Sequence, residues 1–313
     1  MSNGRIQNLS AVGTRGDSKV DIRFKRASEL SMEELLRIWN ASFEEYLVNM
    51  KMDLTPFIRR AAFEELDLEG SVVMYVDDEP AGLTLNGYRK YGEEQRVWNG
   101  GTGIVKARRG QGLGKPLIEA SLNTYKAREV DTALLEVFTQ NEPAVRLYKS
   151  CGYEEVDQLR VLTGPDQLEA SAFGGESSAF DYKVGVPAEA GALDIYDHSG
   201  PWQTHWQCLK EGQSVILTDG NEPLGYALYR NGFDSEGKHV SVVITNVGIH
   251  PGTEDQTAVL NGLLRFVMKP GVELKRHANH VRSSRPQLGV LLEQAGFKTS
   301  LELLHMKRNM MEG

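Results

Sequence analysis

The ten residues from Ala107 to Pro116, ARRGQGLGKP, set three glycines among the cations Arg108, Arg109 and Lys115, in a chain of 313 residues with a net charge of −8. After Pro116, Leu117 with Ile118, Ser121 with Leu122, and Tyr125 recur at helical spacing, so the loop leads into a helix. A strand over 94–105 leads into the loop. A glycine-rich turn between a strand and a helix aims several unbonded backbone amides at one point, where the helix dipole also favours negative charge. Such a loop is suited to holding a phosphate or a diphosphate.

Three phosphate-holding patterns can be set against it. A P-loop, GxxxxGK[ST], fails because Gly114-Lys115 has Arg109 where the first glycine belongs and Pro116 where a magnesium-binding hydroxyl belongs. A dinucleotide fingerprint, GxGxxG, fails because the glycines run Gly110-x-Gly112-x-Gly114, and no acidic residue follows at the ribose distance. The third pattern, Arg109-x-x-Gly112-x-Gly114, is complete. Downstream, LEVFTQNEPAVRLYKSCGY reads as a strand bearing Glu136 and a helix capped by Asn141 that ends at Gly152 before Tyr153. Tyr148 shares an apolar helix face with Ala144, Leu147 and Cys151, which on spacing alone is the place of a core aromatic.

Loop, strand and helix together, over residues 102–153, resemble the GNAT acyltransferase superfamily in motif, order and spacing, with TGIV at 102–105 where the family has its bulged fourth strand. The resemblance implies acetyl-CoA as co-substrate and no metal. It implies that the amides of Arg109, Gly110, Gln111, Gly112, Leu113, Gly114 and Lys115 hold the CoA diphosphate, with glycine at 112 and 114 where backbone approaches ligand. It places main-chain hydrogen bonds from Thr102, Gly103, Ile104 and Val105 on the pantetheine and the acetyl carbonyl, in the manner of an oxyanion hole. Tyr148 becomes both a cofactor contact and the general acid for the departing thiolate, and Asn141 bonds the cofactor as well as capping its helix. Glu136, in LEV, matches the general base of ribosomal-protein alanine acetyltransferases, while other branches use a chain of waters instead. A base of some kind is required, because an amine is protonated at neutral pH and cannot attack until a proton leaves.

These residues need a scaffold, and the rest of the chain supplies its pattern. Length favours two domains. Ser31 with Glu34 forms a capping box for a helix to about Tyr46, Thr55 with Pro56 opens another to about Leu68, and SVVMYVD with AGLTLNGYR forms a hairpin. The second half repeats this order more faintly, with Gly152-Tyr153 falling on Gly296-Phe297 at an offset of 144. The fold class expected is α/β (α+β), as two tandem GNAT folds, each a mixed, mostly antiparallel sheet flanked by helices. The boundaries expected are a flexible arm over 1–20, a catalytic acetyl-CoA-binding domain over 21–163, a glycine-rich linker over 164–188 and a degenerate domain over 189–313 that contributes to acceptor binding. At the same offset Tyr148 falls on Leu292 and Asn141 on Arg285, and Glu254 and Asp255 replace the phosphate loop, so the later half is expected to bind no CoA.

Composition narrows the partners. An acidic chain with pI near 5.5 argues against nucleic acid, and no apolar run is long enough for a membrane span. Only Cys151 and Cys208 are present, which fits a reducing compartment and the cytoplasm, and His277 with His280 reads as solvated rather than metal-binding. The expected activity is acetyl-CoA-dependent N-acetylation of a primary amine on a small polar, cationic molecule, by a monomer or homodimer. Tandem arrangements resembling this occur in mycothiol synthase, whose active half is the later one, and in self-resistance acetyltransferases for amino antibiotics such as zwittermicin and paenilamicin, which have the order seen here. Two alternatives are a protein or peptide N-terminal acetyltransferase and a non-catalytic CoA-binding sensor.

Overall fold

Ser31 fixes where the first long helix begins: its Oγ accepts from the amide of Glu34 at 3.2 Å, and Glu34 Oε2 accepts from the amide of Ser31 at 2.9 Å. The computed structural model in which this box is seen describes residues 11–15, 18–174, 180–220 and 222–311. Its contacts divide the chain into two units, Met1–Glu154 with Met306–Gly313, and Glu155–His305.

In the first unit the order is β1 (Ala11–Arg15), β2 (Ser18–Arg26), α1 (Met32–Ser42), α2 (Leu54–Phe63), β3 (Leu66–Val76), β4 (Glu79–Tyr91), β5 (Glu94–Ile104), α3 (Gly114–Ala127), β6 (Thr132–Phe138) and α4 (Glu142–Ser150). Strands β1 to β5 pair antiparallel in sequence order, and β6 joins β5 in parallel. The sheet has a core on each face because alternate residues of β3 point opposite ways. Val73 joins Leu35, Trp39 and Phe57 under α1 and α2, whereas Val72 and Met74 join Leu113 and Leu117 under α3. A buried polar chain also ties α3 to β4. Thr84 Oγ1 meets Ser121 Oγ at 2.7 Å, and the Tyr125 hydroxyl donates to Asn86 Oδ1 at 2.7 Å.

The second unit contains most of β7 (Glu154–Thr163), then β8 (Asp181–Gly185), α5 (Pro187–Gly191), β9 (Gln213–Asp219), β10 (Glu222–Phe233), β11 (His239–Ile249), α6 (Gln256–Met268), β12 (Lys275–Arg282), α7 (Pro286–Gln294) and most of β13 (Lys298–Asn309). Strands β8 to β11 pair antiparallel in order, β12 joins β11 in parallel, and β7 lies antiparallel on β12. Shifting β3 through α4 by 144 residues lands on β9 through α7 within three residues at every end, and α4 lands on α7 with both ends equal. Both units therefore carry the mixed, mostly antiparallel sheet expected.

Several expectations need correction. The stretch 164–188 is no linker: Leu168 and Phe173 are buried in the second core, Gln167 bridges to Glu273, and β8 pairs with β9. Its average composition is polar, but the apolar residues within it are spaced as anchors; residues 175–179 lie outside the described residues. Of the arm over 1–20, residues 1–10 and 16–17 also lie outside them, while Ala11–Arg15 pairs with β2 from Ala11↔Ile22 to Arg15↔Ser18. The division falls at Glu154 rather than at 163, and Met306–Gly313 belongs to the first unit, where the Met310 amide donates to Asp131 O at 2.8 Å. His280 is not solvated. Burial pushes its imidazole, and that of His305, down to about 4.

Arg276 is fully buried and makes no salt bridge among the described residues. Its guanidinium instead donates to the carbonyls of Met268 at 2.7 Å, Asp166 at 2.8 Å and Lys269 at 2.9 Å, among others, joining the end of α6 to the stretch after β7. Arg276→Met strands those carbonyls, so a loss of about 3 kcal/mol or more is expected in chemical denaturation. Acid should act on the same unit through its histidines. The unfolded chain takes up protons near 6.5 and the folded chain only near 4, so stability present above pH 6.5 is lost as pH falls to 4. Melting across that window should show the decline, and His280→Asn with His305→Gln should flatten it.

Candidate functional site

The first unit's sheet divides at one residue. The β4–β5 register runs Leu85↔Gly101 and then Asn86↔Asn99, so Gly100 is an extra residue on β5. Pairing of β5 to β6 ends at the same level, at Asn99↔Leu135. Beyond it, Gly101–Ile104 on β5 and Glu136–Phe138 on β6 run on without a ladder between them among the described residues, leaving the main-chain groups on that edge of β5 available. Asn99 secures the bulge: its Oδ1 accepts from the Gly101 amide at 3.1 Å, and its Nδ2 donates to Thr102 Oγ1 at 2.7 Å. Helix α1 covers one face of this segment so closely that a Cβ on Gly101 would stand 2.7 Å from the Trp39 ring, and one on Gly103 2.7 Å from Ser42. Asn99 and Trp39 carried no sequence signal, because each acts through the bulge rather than through a motif.

The loop from Gly110 to Leu113 enters α3 without a capping side chain, and the amides of Gly110, Gln111, Gly112 and Leu113 donate to no backbone carbonyl among the described residues. With the α3 dipole behind them they form an anion cradle that fits a diphosphate. Its glycines also have reasons within the fold. Gly110 and Gly112 hold φ of +75° and +78°, a region L side chains rarely adopt, and nothing crowds their missing Cβ. Gly114 is glycine because a Cβ there would stand 2.8 Å from Leu147 Cδ2. Leu113 is buried in the core under α3 and anchors the loop.

Arg109 braces the fold. Its guanidinium donates to Ser42 O at 3.0 Å, Glu44 O at 2.7 Å and Ile104 O at 3.2 Å, pinning the loop to the end of α1 and to β5. Arg108 lies 3.9 Å from Asp77, and Lys115 lies 3.9 Å from Glu119 on an exposed surface. Gln111 folds back onto Ala107 O at 3.3 Å.

Tyr148, Thr102 and Glu136 come from three elements that meet where the sheet divides. Tyr148 is buried, its hydroxyl hydrogen-bonds the Thr102 side chain, and burial pushes its pKa up to about 12. It is therefore a protonated phenol at neutral pH. Glu136 Oε2 accepts from the indole N–H of the buried Trp98 at 2.6 Å, which fixes the carboxylate's orientation. Asn141 caps α4 through Oδ1, which accepts from the Ala144 amide at 3.4 Å, while its Nδ2 donates to the Tyr46 hydroxyl at 3.0 Å. Tyr46 packs its ring against Phe43 and Phe138, and burial raises its pKa too. Sequence reasoning missed Tyr46 and Trp98. Both are single aromatics in apolar surroundings, and only the fold brings one to Asn141 and the other to Glu136. Among the described residues no group of three or more His, Cys, Asp or Glu side chains could hold a metal ion, and no helix is long and apolar enough to cross a membrane.

This geometry can be set against known proteins. The model of the acetyltransferase (GNAT) family matches residues 32–153, from the start of α1 to Tyr153. Those residues are similar to the members of that family. A mycothiol acetyltransferase from Nocardioides sp. is 28% identical over 160 residues, which cover 46% of this chain and 52% of that protein. The chain thus matches about half the length of this curated relative. Among solved structures, a GCN5-related N-acetyltransferase from Sphaerobacter thermophilus aligns over 92% of this chain and 96% of its own, at 19% identity and a TM-score of 0.65. A tandem GNAT protein from the clavulanic acid biosynthesis pathway aligns over 93% and 99%, at 10% identity and a TM-score of 0.62. Both likenesses are of fold.

In the second GNAT-like unit the counterparts of the site residues have changed type. Leu292, in the place of Tyr148, is fully buried. His280 stands for Glu136, and Arg285 for Asn141. Asp255 caps α6, its Oδ1 accepting from the Ala258 amide at 2.8 Å, so a carboxylate sits where an anion would have to bind.

The pinning role of Arg109 is separable from charge. Arg109→Ala should cost about 2 kcal/mol of stability and weaken CoA binding by loosening the loop. Arg109→Lys, which keeps the charge and loses the fork, should recover little of either in denaturation and calorimetry.

Proposed function

We propose that the first unit is an acetyl-CoA-dependent N-acetyltransferase acting on a primary amine of a small, polar, cationic molecule. The observation that carries this reading is the meeting of three features at the divided end of one sheet: an open β5 edge, an uncapped anion cradle, and a buried, protonated Tyr148 on Thr102, with Glu136 on the strand that diverges from β5. The family match supports it, since a GNAT fold keeping its phosphate loop, proton donor and carboxylate keeps what acetyl transfer requires.

In the reaction, the free amine attacks the thioester carbonyl, a C–N bond forms and the C–S bond breaks. Main-chain amides on the open edge of β5, between Thr102 and Ile104, face the charge that develops on the carbonyl oxygen. Glu136 takes the proton that the attacking amine must lose, directly or through one water. Tyr148 donates to the departing sulfur. Full transfer from a phenol near 12 to a solvated thiolate of pKa about 8.5 would be uphill, so the hydroxyl acts while the sulfur is still within the site and before water reaches it.

Amino-bearing antibiotics are the acceptor class we favour, as a self-resistance reaction, and the chain's acidic surplus suits a cationic acceptor. Mycothiol acetylation is the second reading, favoured by the relative from Nocardioides sp.. The test is to incubate the protein with acetyl-CoA and a panel of amine antibiotics, polyamines, amino acids and the acceptor of that relative, following release of free thiol. Thiol release with at least one acceptor is expected; tight CoA binding with none would overturn the enzyme reading in favour of a sensor. With the active acceptor, Tyr148→Phe should slow turnover by roughly 10²- to 10⁴-fold while CoA affinity holds, and Glu136→Gln should slow it by a similar factor if the carboxylate rather than a water chain is the base.

A further inference from the structure

The second unit has lost its phosphate loop and its tyrosine, but it has not closed. Strand β11 pairs with β12 only from Ser241↔Lys275 to Ile244↔Ala278. Beyond that level the two strands, with the first turns of α6 and α7, enclose a cavity of about 770 Å³, within the size range of small-molecule sites. An unused cleft in a duplicated domain would be expected to fill with side chains, since a void forfeits packing energy. This one persists with polar groups around it.

The chemistry of its walls differs from that of the first unit. Arg282 is held between Asp157 at 2.7 Å and Asp197 at 2.9 Å, and its charge is neutralised. Arg285, on the same Asp197 at 2.9 Å, leaves half of its side chain exposed and stands at the start of α7, where no side chain caps the helix. Asp194 is exposed on the cavity wall. One edge of β11 is used by β10, through Leu228↔Asn246 and Tyr226↔Gly248, and the other borders the cavity from Thr245 onward. His280 lines the space with φ of +54°, a backbone conformation that costs energy for a residue with a side chain, and it makes no hydrogen bond among the described residues. A neutral imidazole at a strained position, aimed at a cavity with no protein partner, is a polar group awaiting a ligand.

We propose that this cavity binds a short zwitterionic peptide of two or three residues. Its carboxylate lies on Arg285 and the amides of Gln287 and Leu288, which follow Pro286, its ammonium on Asp194, and its peptide groups along the open edge of β11 with His280 bonding one of them. A diphosphate is excluded because Asp255 already occupies the end of α6. The site is independent of the chemistry proposed for the first unit.

The test is calorimetry on the full chain, first saturated with CoA, titrated with Ala-Ala and Ala-Ala-Ala and with their N-acetylated and C-amidated forms. One peptide site per chain is expected, with either blocked end weakening binding about tenfold or more. Arg285→Gln should weaken the free peptide about tenfold and leave the amidated one unchanged, while Asp194→Asn should do the same for the ammonium end and the N-acetylated form. Neither side chain is buried, so both variants should melt as wild type; if Arg285→Gln does not fold, Asp194→Asn carries the test. No heat from either peptide at about 10 mM, equal binding of the blocked forms, or a second equivalent of CoA that competes with peptide would each overturn the proposal.

Discussion

The first unit depends on a sheet that separates at one glycine. Up to Asn99 and Leu135, β5 and β6 share an ordinary parallel ladder; the extra residue at Gly100 turns β5 aside, and from there two strands of the same sheet run apart. A backbone edge is costly to leave without partners, so its persistence has to be built in. Here Asn99 ties down the bulge, Trp39 fills the space left by Gly101, and Arg109 collects three carbonyls around the exit of the strand. The main-chain donors a thioester would need are the groups that this separation releases. Tyr148 and Glu136 are then added to an opening that already exists.

That view accounts for what could be read from the sequence. The glycine-rich loop before α3, the cap at Asn141 and the helix face bearing Tyr148 are local patterns, in which neighbours along the chain meet in space, and each lies at its expected place in the fold. The offset of 144 was legible for the same reason, because helix ends and turn glycines recur in order. What the sequence concealed is whatever depends on distant residues meeting. Trp98 reaching Glu136, Tyr46 reaching Asn141, and Arg109 turning away from the loop to the end of α1 link residues many positions apart, and no periodicity records them. The misread linker belongs here as well: Leu168 and Phe173 look isolated among small polar residues until a second core provides their neighbours.

The two units show how one architecture holds different chemistry. Both open between equivalent strands, and both place a helix start at the opening. In the first, that helix start is bare and a phenol lies nearby; in the second, Asp255 closes it, and the polarity has moved to Arg285 at the other helix. Loss of a motif is therefore a poor measure of loss of a site. The backbone makes the cleft in both units, whichever residues line it.

The return of Met306–Gly313 to the first unit bears on how such a protein can change over time. The edge beside β6 is completed by residues more than 150 positions later in the chain, with Met310 bonding Asp131 and Arg308 bonding Cys151 O, while most of β7 serves the second unit. A copy cut between its halves would leave one piece short of a border and burden it with a strand that has no home. With its ends traded in this way, the chain cannot be divided into two whole domains by a single cut.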